Sequence, residues 1–327
     1  MLKLELKPAI KELKKIKAKR VFLQVPEGLK VKVEDIMSEL ESNGFIVFAS
    51  MDPCFGACDL KQSEAKRMNC DTILHIGHTK FLEKTSIPTV YAPLKYDLGE
   101  RFGKIIETLS EWLKGENIKE AGIVTTAQYL EYVEEIKKEL QKKGIKIEIE
   151  KGKRVERAQI LGCNYSSADV KAKTIIYFGD GLFHPLGIHF ATQKKVIIAN
   201  PISLEISALE DEKNKFLKQR ILLIERAKEA KSYAIIVSTK EGQNRISEAE
   251  KIKKALEKNG KKANIYLMDF ISNESLLGIK AEALINTACP RIGIDDYLNY
   301  KLPIINKNEV DYLLGKSYDD YKIDYVY

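Results

Sequence analysis

The sequence predicts an α/β protein of three similar small domains, each a four-stranded, mostly parallel sheet flanked by helices, arranged around a common centre. Three observations carry that reading. Short apolar runs alternate with helix-period segments, and such β–α alternation implies parallel pairing. The alternation occurs three times, with first strands opening at Arg20, Ala121 and Tyr233. Matching stops recur between the first two copies: Gly77 and Gly179 after the third strand, Pro93 and Pro201 after the fourth. The expected domains are residues 1–103, 104–206 and 207–327.

In the first copy, Ile10, Leu13 and Ile16 share one face of a helix over residues 8–19. Residues 20–25 form a strand that ends in Pro26-Glu27-Gly28-Leu29. A helix through Val33, Ile36, Met37 and Leu40 then closes at Asn43-Gly44. Strands follow at 45–49, 72–76 and 89–92, the last stopped by Pro93. The second copy opens with a strand over 121–128. A helix through Tyr132, Val133, Ile136 and Leu140 runs to Gly144, and strands follow at 145–149, 174–178 and 196–199. The third copy has strands at 233–239, 264–268, 283–287 and 302–305, with a helix ending at Asn259-Gly260. Helices near 104–114 and 207–231 join the copies. No low-complexity linker separates them, so they should pack rigidly.

With 44% hydrophobic residues, the chain can bury a large core. The net charge of +7 comes mostly from lysines scattered over helical stretches, which reads as a solvated surface and not as a nucleic-acid face. No run of about 18 apolar residues exists, and Met1-Leu2-Lys3-Leu4-Glu5 begins no secretory signal. The expectation is a soluble, cytoplasmic protein with no membrane or direct nucleic-acid partner.

Chemistry concentrates in the cysteines. There are five, Cys54, Cys58, Cys70, Cys163 and Cys289, an odd number in a chain too large to need staples. Cys289 follows the apolar run 283–287 and precedes Pro290-Arg291, so it stands just beyond the carboxyl end of a strand, where parallel sheets place their sites. Cys58 and Cys163 each follow the second strand of their copy. One thiol from each copy suits a four-iron cluster with three irons held by protein and the fourth open to a substrate. A zinc reading would use Cys54 and Cys58 with Cys70, His75 or His78, and would leave Cys163 and Cys289 idle. A Cys/His hydrolase would need a base from His75, His78, His184 or His189. Gly179-Asp180-Gly181 lacks the G-x-G-x-x-G spacing of a dinucleotide loop.

Seven motifs come in order: 24–29 (QVPEGL), 56–59 (GACD), 75–78 (HIGH), 161–164 (LGCN), 178–185 (FGDGLFHP), 238–243 (STKEGQ) and 288–291 (ACPR). In these the chain resembles the catalytic subunit of archaeal diphthamide synthases, from Val21 to Asp296, with Cys54 as an additional thiol. The resemblance implies a 2-(3-amino-3-carboxypropyl)histidine synthase, a radical S-adenosylmethionine enzyme without the C-x3-C-x2-C loop. It implies a 4Fe-4S cluster held by Cys58, Cys163 and Cys289, and cleavage of S-adenosylmethionine between its sulfur and the γ-carbon. The 3-amino-3-carboxypropyl group then passes to a histidine of translation elongation factor 2, and methylthioadenosine leaves. A homodimer and a separate electron donor are also implied.

Within that resemblance, Arg291 is suited to clamp the methionyl carboxylate through its fork, or else to pair with Asp295 or Asp296. Glu27 and Asp180 would meet the ammonium or sulfonium. Gly28, Gly179 and Gly242 would let backbone amides approach, and Gln24 and Gln243 would supply polar contacts. An acceptor that is a folded protein calls for an open, basic-rimmed mouth. Two other classes stay open: a non-catalytic iron–sulfur accessory subunit, and a small-molecule binding module of repeated α/β domains.

Overall fold

The computed structural model describes residues 2–325. It contains three sheets, built in sequence order. The first comprises β1 (Leu2–Leu4), α1 (Leu6–Lys15), β2 (Arg20–Gln24), α2 (Val33–Ser42), β3 (Ile46–Ser50), α3 (Gln62–Arg67), β4 (Thr72–Gly77) and β5 (Thr89–Tyr96). The second comprises α4 (Glu100–Gly115), β6 (Glu120–Thr125), α5 (Val133–Lys142), β7 (Lys146–Glu148), β8 (Thr174–Phe178), α6 (Phe183–Thr192), β9 (Lys195–Asn200) and β10 (Glu205–Ala208). The third comprises α7 (Glu210–Lys228), β11 (Ser232–Ser238), α8 (Ile246–Lys258), β12 (Lys262–Met268), α9 (Asn273–Leu276), β13 (Ala283–Asn286), α10 (Pro290–Ile294), β14 (Ile304–Asn306) and α11 (Val310–Leu313).

The strand orders are β1-β5-β4-β2-β3, β10-β9-β8-β6-β7 and β12-β11-β13-β14. In every sheet the first long strand lies between the second and the third, and these pairs are parallel. The chain therefore changes direction across the sheet between its first and third strands, and parallel sheets open a crevice at such a point, outside the carboxyl ends. The central strands are mostly apolar because both faces are covered. All five residues of β8 are buried, as are Ala283–Asn286 of β13.

The first two sheets have five strands, not the expected four. β1 and β10 add antiparallel edges. Pro93 does not stop β5. It pairs with Gly77 at the end of the β4 ladder, and β1 takes over from Leu94, so the missing N–H falls at the hand-over. The 121–128 strand ends at Thr125, after which a 3-10 turn spans Ala127–Tyr132. The joining helix expected from Ser207 starts at Glu210, because Ser207 and Ala208 belong to β10. Ile16 is 42% exposed, since α1 ends at Lys15, while Leu6, Ala9, Ile10 and Leu13 hold the buried stripe. Burying a leucine such as Leu13 contributes about 1.5–3 kcal/mol. α2, α5 and α8 stop alike, with Gly44, Gly144 and Gly260 at φ of +90°, +84° and +72°, a left-handed cap that glycine enters without strain.

The second and third sheets share one apolar core. Ile188 and Phe190 of α6, Phe216 and Ile224 of α7, and Ile235 and Ile285 of the third sheet belong to the same cluster as Val124 and Tyr177. The first sheet has its own cluster around Leu13, Leu23, Leu40 and Leu74. Among the described residues, no helix is long and apolar enough to cross a membrane.

Candidate functional site

The three cysteines after strand ends come together. Cys58 lies in the loop between β3 and α3, Cys163 between β7 and β8, and Cys289 at the turn into α10. Burial is the main force raising the Cys163 thiol above its ordinary pKa, and the nearby Cys289 and Cys58 add to it. Cys289 is pushed to about 12, first by burial and then by Cys58. Burial also raises Cys58, while the Gln243 amide, donating from Nε2 to Sγ at 3.3 Å, pulls it back. Three crowded thiols of this kind are poor nucleophiles, and they deprotonate together when a cation binds. The donor set therefore fits an iron–sulfur group and does not fit a Cys/His hydrolase. Among the described residues, no histidine ring shares a hydrogen bond with any of the three. His75 and His78 face each other at 3.0 Å, and His184 stacks on Tyr177.

Each thiol is held by specific local chemistry. Cys163 sits on a tight turn closed by reciprocal bonds between Leu161 and Asn164 at 2.9 and 3.0 Å. A side chain at Gly162 would collide with the ring of Phe183, whose face also receives the Arg291 guanidinium at 4.9 Å. Cys289 is fixed from behind by two buried asparagines. Asn286 donates to the Cys289 carbonyl at 2.8 Å and to Asn306 Oδ1 at 2.7 Å, and Asn306 donates to the Pro290 carbonyl at 3.0 Å. Neither asparagine was singled out from sequence, although a polar residue inside the apolar run 283–287 was the available signal.

The Cys58 loop is clamped between the first and third sheets. Buried Asp59 lies 3.6 Å from both Lys61 and Lys240, and these lysines also meet Asp269 at 2.8 and 3.2 Å. Burial raises the Asp59 carboxyl, and Lys240 and Lys61 oppose it. Burial works against the Lys61 charge, but Asp269 and Asp59 outweigh it and its pKa rises. A motif match alone did not reveal this ion network, because its members come from three segments far apart in the chain, around Asp59-Lys61, Lys240 and Asp269.

Beside the thiols opens a cavity of about 540 Å³, lined by Cys58, Lys240, Gln243, Asp269, Cys289 and Arg291, with Phe55 and Phe270 at its edge, stacked at 6.0 Å. Gln243 and Arg291, both expected to contact a ligand, line this cavity, and Gly242 presses on Cys58. Arg291 donates from Nε to Asp295 at 2.7 Å, and among the described residues its Nη groups donate to nothing. The other expected contacts lie elsewhere. Gln24 is buried under the Cys58 loop, donating to the Asp59 carbonyl at 2.6 Å. Glu27 is exposed and paired with Lys30 at 2.6 Å, and Gly28 faces open space. The Gly179 amide is spent on the Ala199 carbonyl at 3.0 Å, so it has no donor to offer a ligand. Asp180 is exposed, with its carbonyl taken by Tyr177 at 3.0 Å. None of these five lines the cavity. Nor is the mouth basic: Lys240 and Arg291 are balanced by Asp269, Glu274 and Asp296.

The diphthamide synthesis protein family matches residues 25–324. The chain is 37% identical to the 2-(3-amino-3-carboxypropyl)histidine synthase of Pyrococcus horikoshii, covering 97% of this chain and 92% of that one. It is 32% identical to the enzyme of the same name from Methanocaldococcus jannaschii, covering 94% and 87%. The crystal structure of Dph2 from Pyrococcus horikoshii with a 4Fe-4S cluster superposes with a TM-score of 0.92 at 34% identity, covering all of this chain and 95% of that one.

Proposed function

The chain belongs to the diphthamide synthesis protein family, and on that premise we propose that it is a 2-(3-amino-3-carboxypropyl)histidine synthase. It transfers the 3-amino-3-carboxypropyl group of S-adenosylmethionine to a histidine of elongation factor 2, the first step of diphthamide biosynthesis. The observation that carries this reading is the meeting of Cys58, Cys163 and Cys289, from the loops of three different sheets, in one half-buried cluster of thiols beside a cavity. Those three would hold a 4Fe-4S cluster, which supplies the electron that splits the sulfonium.

The remaining work falls to the protein as positioning. Gln243 orients the Cys58 sulfur. Arg291, steadied through Nε by Asp295, turns its free Nη edge toward a carboxylate. The 540 Å³ cavity has room for a ligand of that size. Glu27, Gly28, Gly179 and Asp180 fall outside it and are left out of the binding set. We read the three sheets as three domains divided near residues 103 and 206, with α4 and α7 as the joints. A cytoplasmic homodimer served by a separate electron donor completes the proposal.

The test is anaerobic incubation of the reconstituted protein with dithionite, elongation factor 2 and S-adenosylmethionine labelled in its carboxyl carbon. Label should appear on one histidine of the factor. A reconstituted protein that carries the cluster yet transfers no label would reduce the chain to an accessory iron–sulfur subunit.

A further inference from the structure

We propose that Cys54, His75 and His78 form a second metal site, for zinc, separate from the three-thiol centre. Their ligand atoms all lie within 4.8 Å of one another, and Cys54 and His75 are buried. The three come from the loop after β3, from within β4, and from the residue just past it. Residues three apart on a regular strand point to opposite faces. Here Gly77 turns the chain with φ of +92°, and the His78 ring comes back to the His75 ring. The result is His75 Nε2 facing His78 Nδ1 at 3.0 Å. Two nitrogens on a tetrahedral zinc stand about 3.3 Å apart, so the pair needs to open only slightly.

A second observation prepares His75 as a ligand. Its Nδ1 faces Gln24 Oε1 at 3.4 Å. The Gln24 amide cannot swap ends, because its Nε2 donates to the Asp59 carbonyl and its Oε1 also faces the Lys61 amide. The proton is thereby kept on Nδ1, and the Nε2 lone pair points at the site. An outer partner that fixes the tautomer in this way is the usual companion of a metal-bound histidine. Burial also keeps both rings neutral. One thiolate and two imidazoles suit zinc and do not suit calcium or magnesium. On binding, Cys54 gives up its thiol proton to solvent, and the His78 proton moves from Nδ1 to Nε2. The bound ion ties the loop of residues 52–59 to β4, four residues ahead of Cys58.

Zinc and iron should be measured on the full chain after anaerobic cluster reconstitution. About one zinc per chain is expected beside the iron, and Cys54→Ser and His78→Gln should each lower zinc at least about tenfold while iron stays. X-ray absorption at the zinc edge of the unsubstituted protein gives an answer even if a variant fails to fold. One sulfur and two nitrogens per zinc support the site, and three sulfurs would mean zinc sitting on Cys58, Cys163 and Cys289. That spectrum, a chain that takes up no zinc, or a Cys54→Ser protein that keeps zinc would each overturn the proposal.

Discussion

The backbone of Gly242 lies against that of Cys58. Its amide donates to the Cys58 carbonyl at 3.0 Å, and a methyl group at position 242 would stand 2.6 Å from Cys58 Cα. Backbone cannot give way as a flexible side chain can. Gly242→Ala should therefore push the two loops apart, at a cost of about 1–3 kcal/mol. Urea midpoint and iron content should both fall, and a variant with unchanged iron would show that the contact does not set the position of Cys58.

Single alanine variants separate the five cysteines. Cys58→Ala, Cys163→Ala and Cys289→Ala should each give a depleted, labile cluster on anaerobic reconstitution, read by visible absorption and iron content. Cys54→Ala and Cys70→Ala should keep it. The reverse result at positions 54 and 58 would reassign the ligand.

In the proposed reading Arg291 clamps the methionyl carboxylate and so sets which bond is presented. Lysine at that position keeps the charge but loses both the planar fork and the Nε bond to Asp295. Arg291→Lys should raise KM for S-adenosylmethionine about tenfold, the equivalent of about 1.4 kcal/mol. The unsubstituted enzyme should release methylthioadenosine. Chromatography that finds 5′-deoxyadenosine as the main product would place the ribose carbon, and not the γ-carbon, at the reacting centre.

Acid should destabilise the fold in part through His184. Burial, helped by Arg291, lowers its pKa from 6.5 to about 4. The unfolded chain binds the proton more readily, so this contribution is full above pH 6.5 and is lost as pH falls from there toward 4. His184→Gln should flatten the urea midpoint against pH across that window. An unchanged slope would mean that the ring is protonated in the folded protein.

What could be read before folding depended on distance along the chain. Local signals were legible: the strand of Ala283–Asn286, the glycine caps at Gly44, Gly144 and Gly260, and the placement of Cys58, Cys163 and Cys289 beyond strand ends. Pairings set by tertiary structure were not. β1 and β10 are short edge strands whose ladders, not their composition, define them. Glu27 and Asp180 are as conspicuous in sequence as Gln243, yet neither lines the cavity, most of whose walls come from the third sheet and its loops. The Asp59–Lys61–Lys240–Asp269 network joins segments that only folding brings together.

The thiol centre also has a place in time. A ribosome that has just delivered Cys58 must still make everything up to Cys289 before the last sulfur exists, on the order of tens of seconds of synthesis. Even then the Cys289 turn is not set until Asn306 has emerged to hold it. Nascent chains therefore carry unassembled sulfurs, and the three can hold iron together only once Cys289 and Asn306 have both been made. A product truncated before residue 306 would lack the side chain that holds the Cys289 turn from behind.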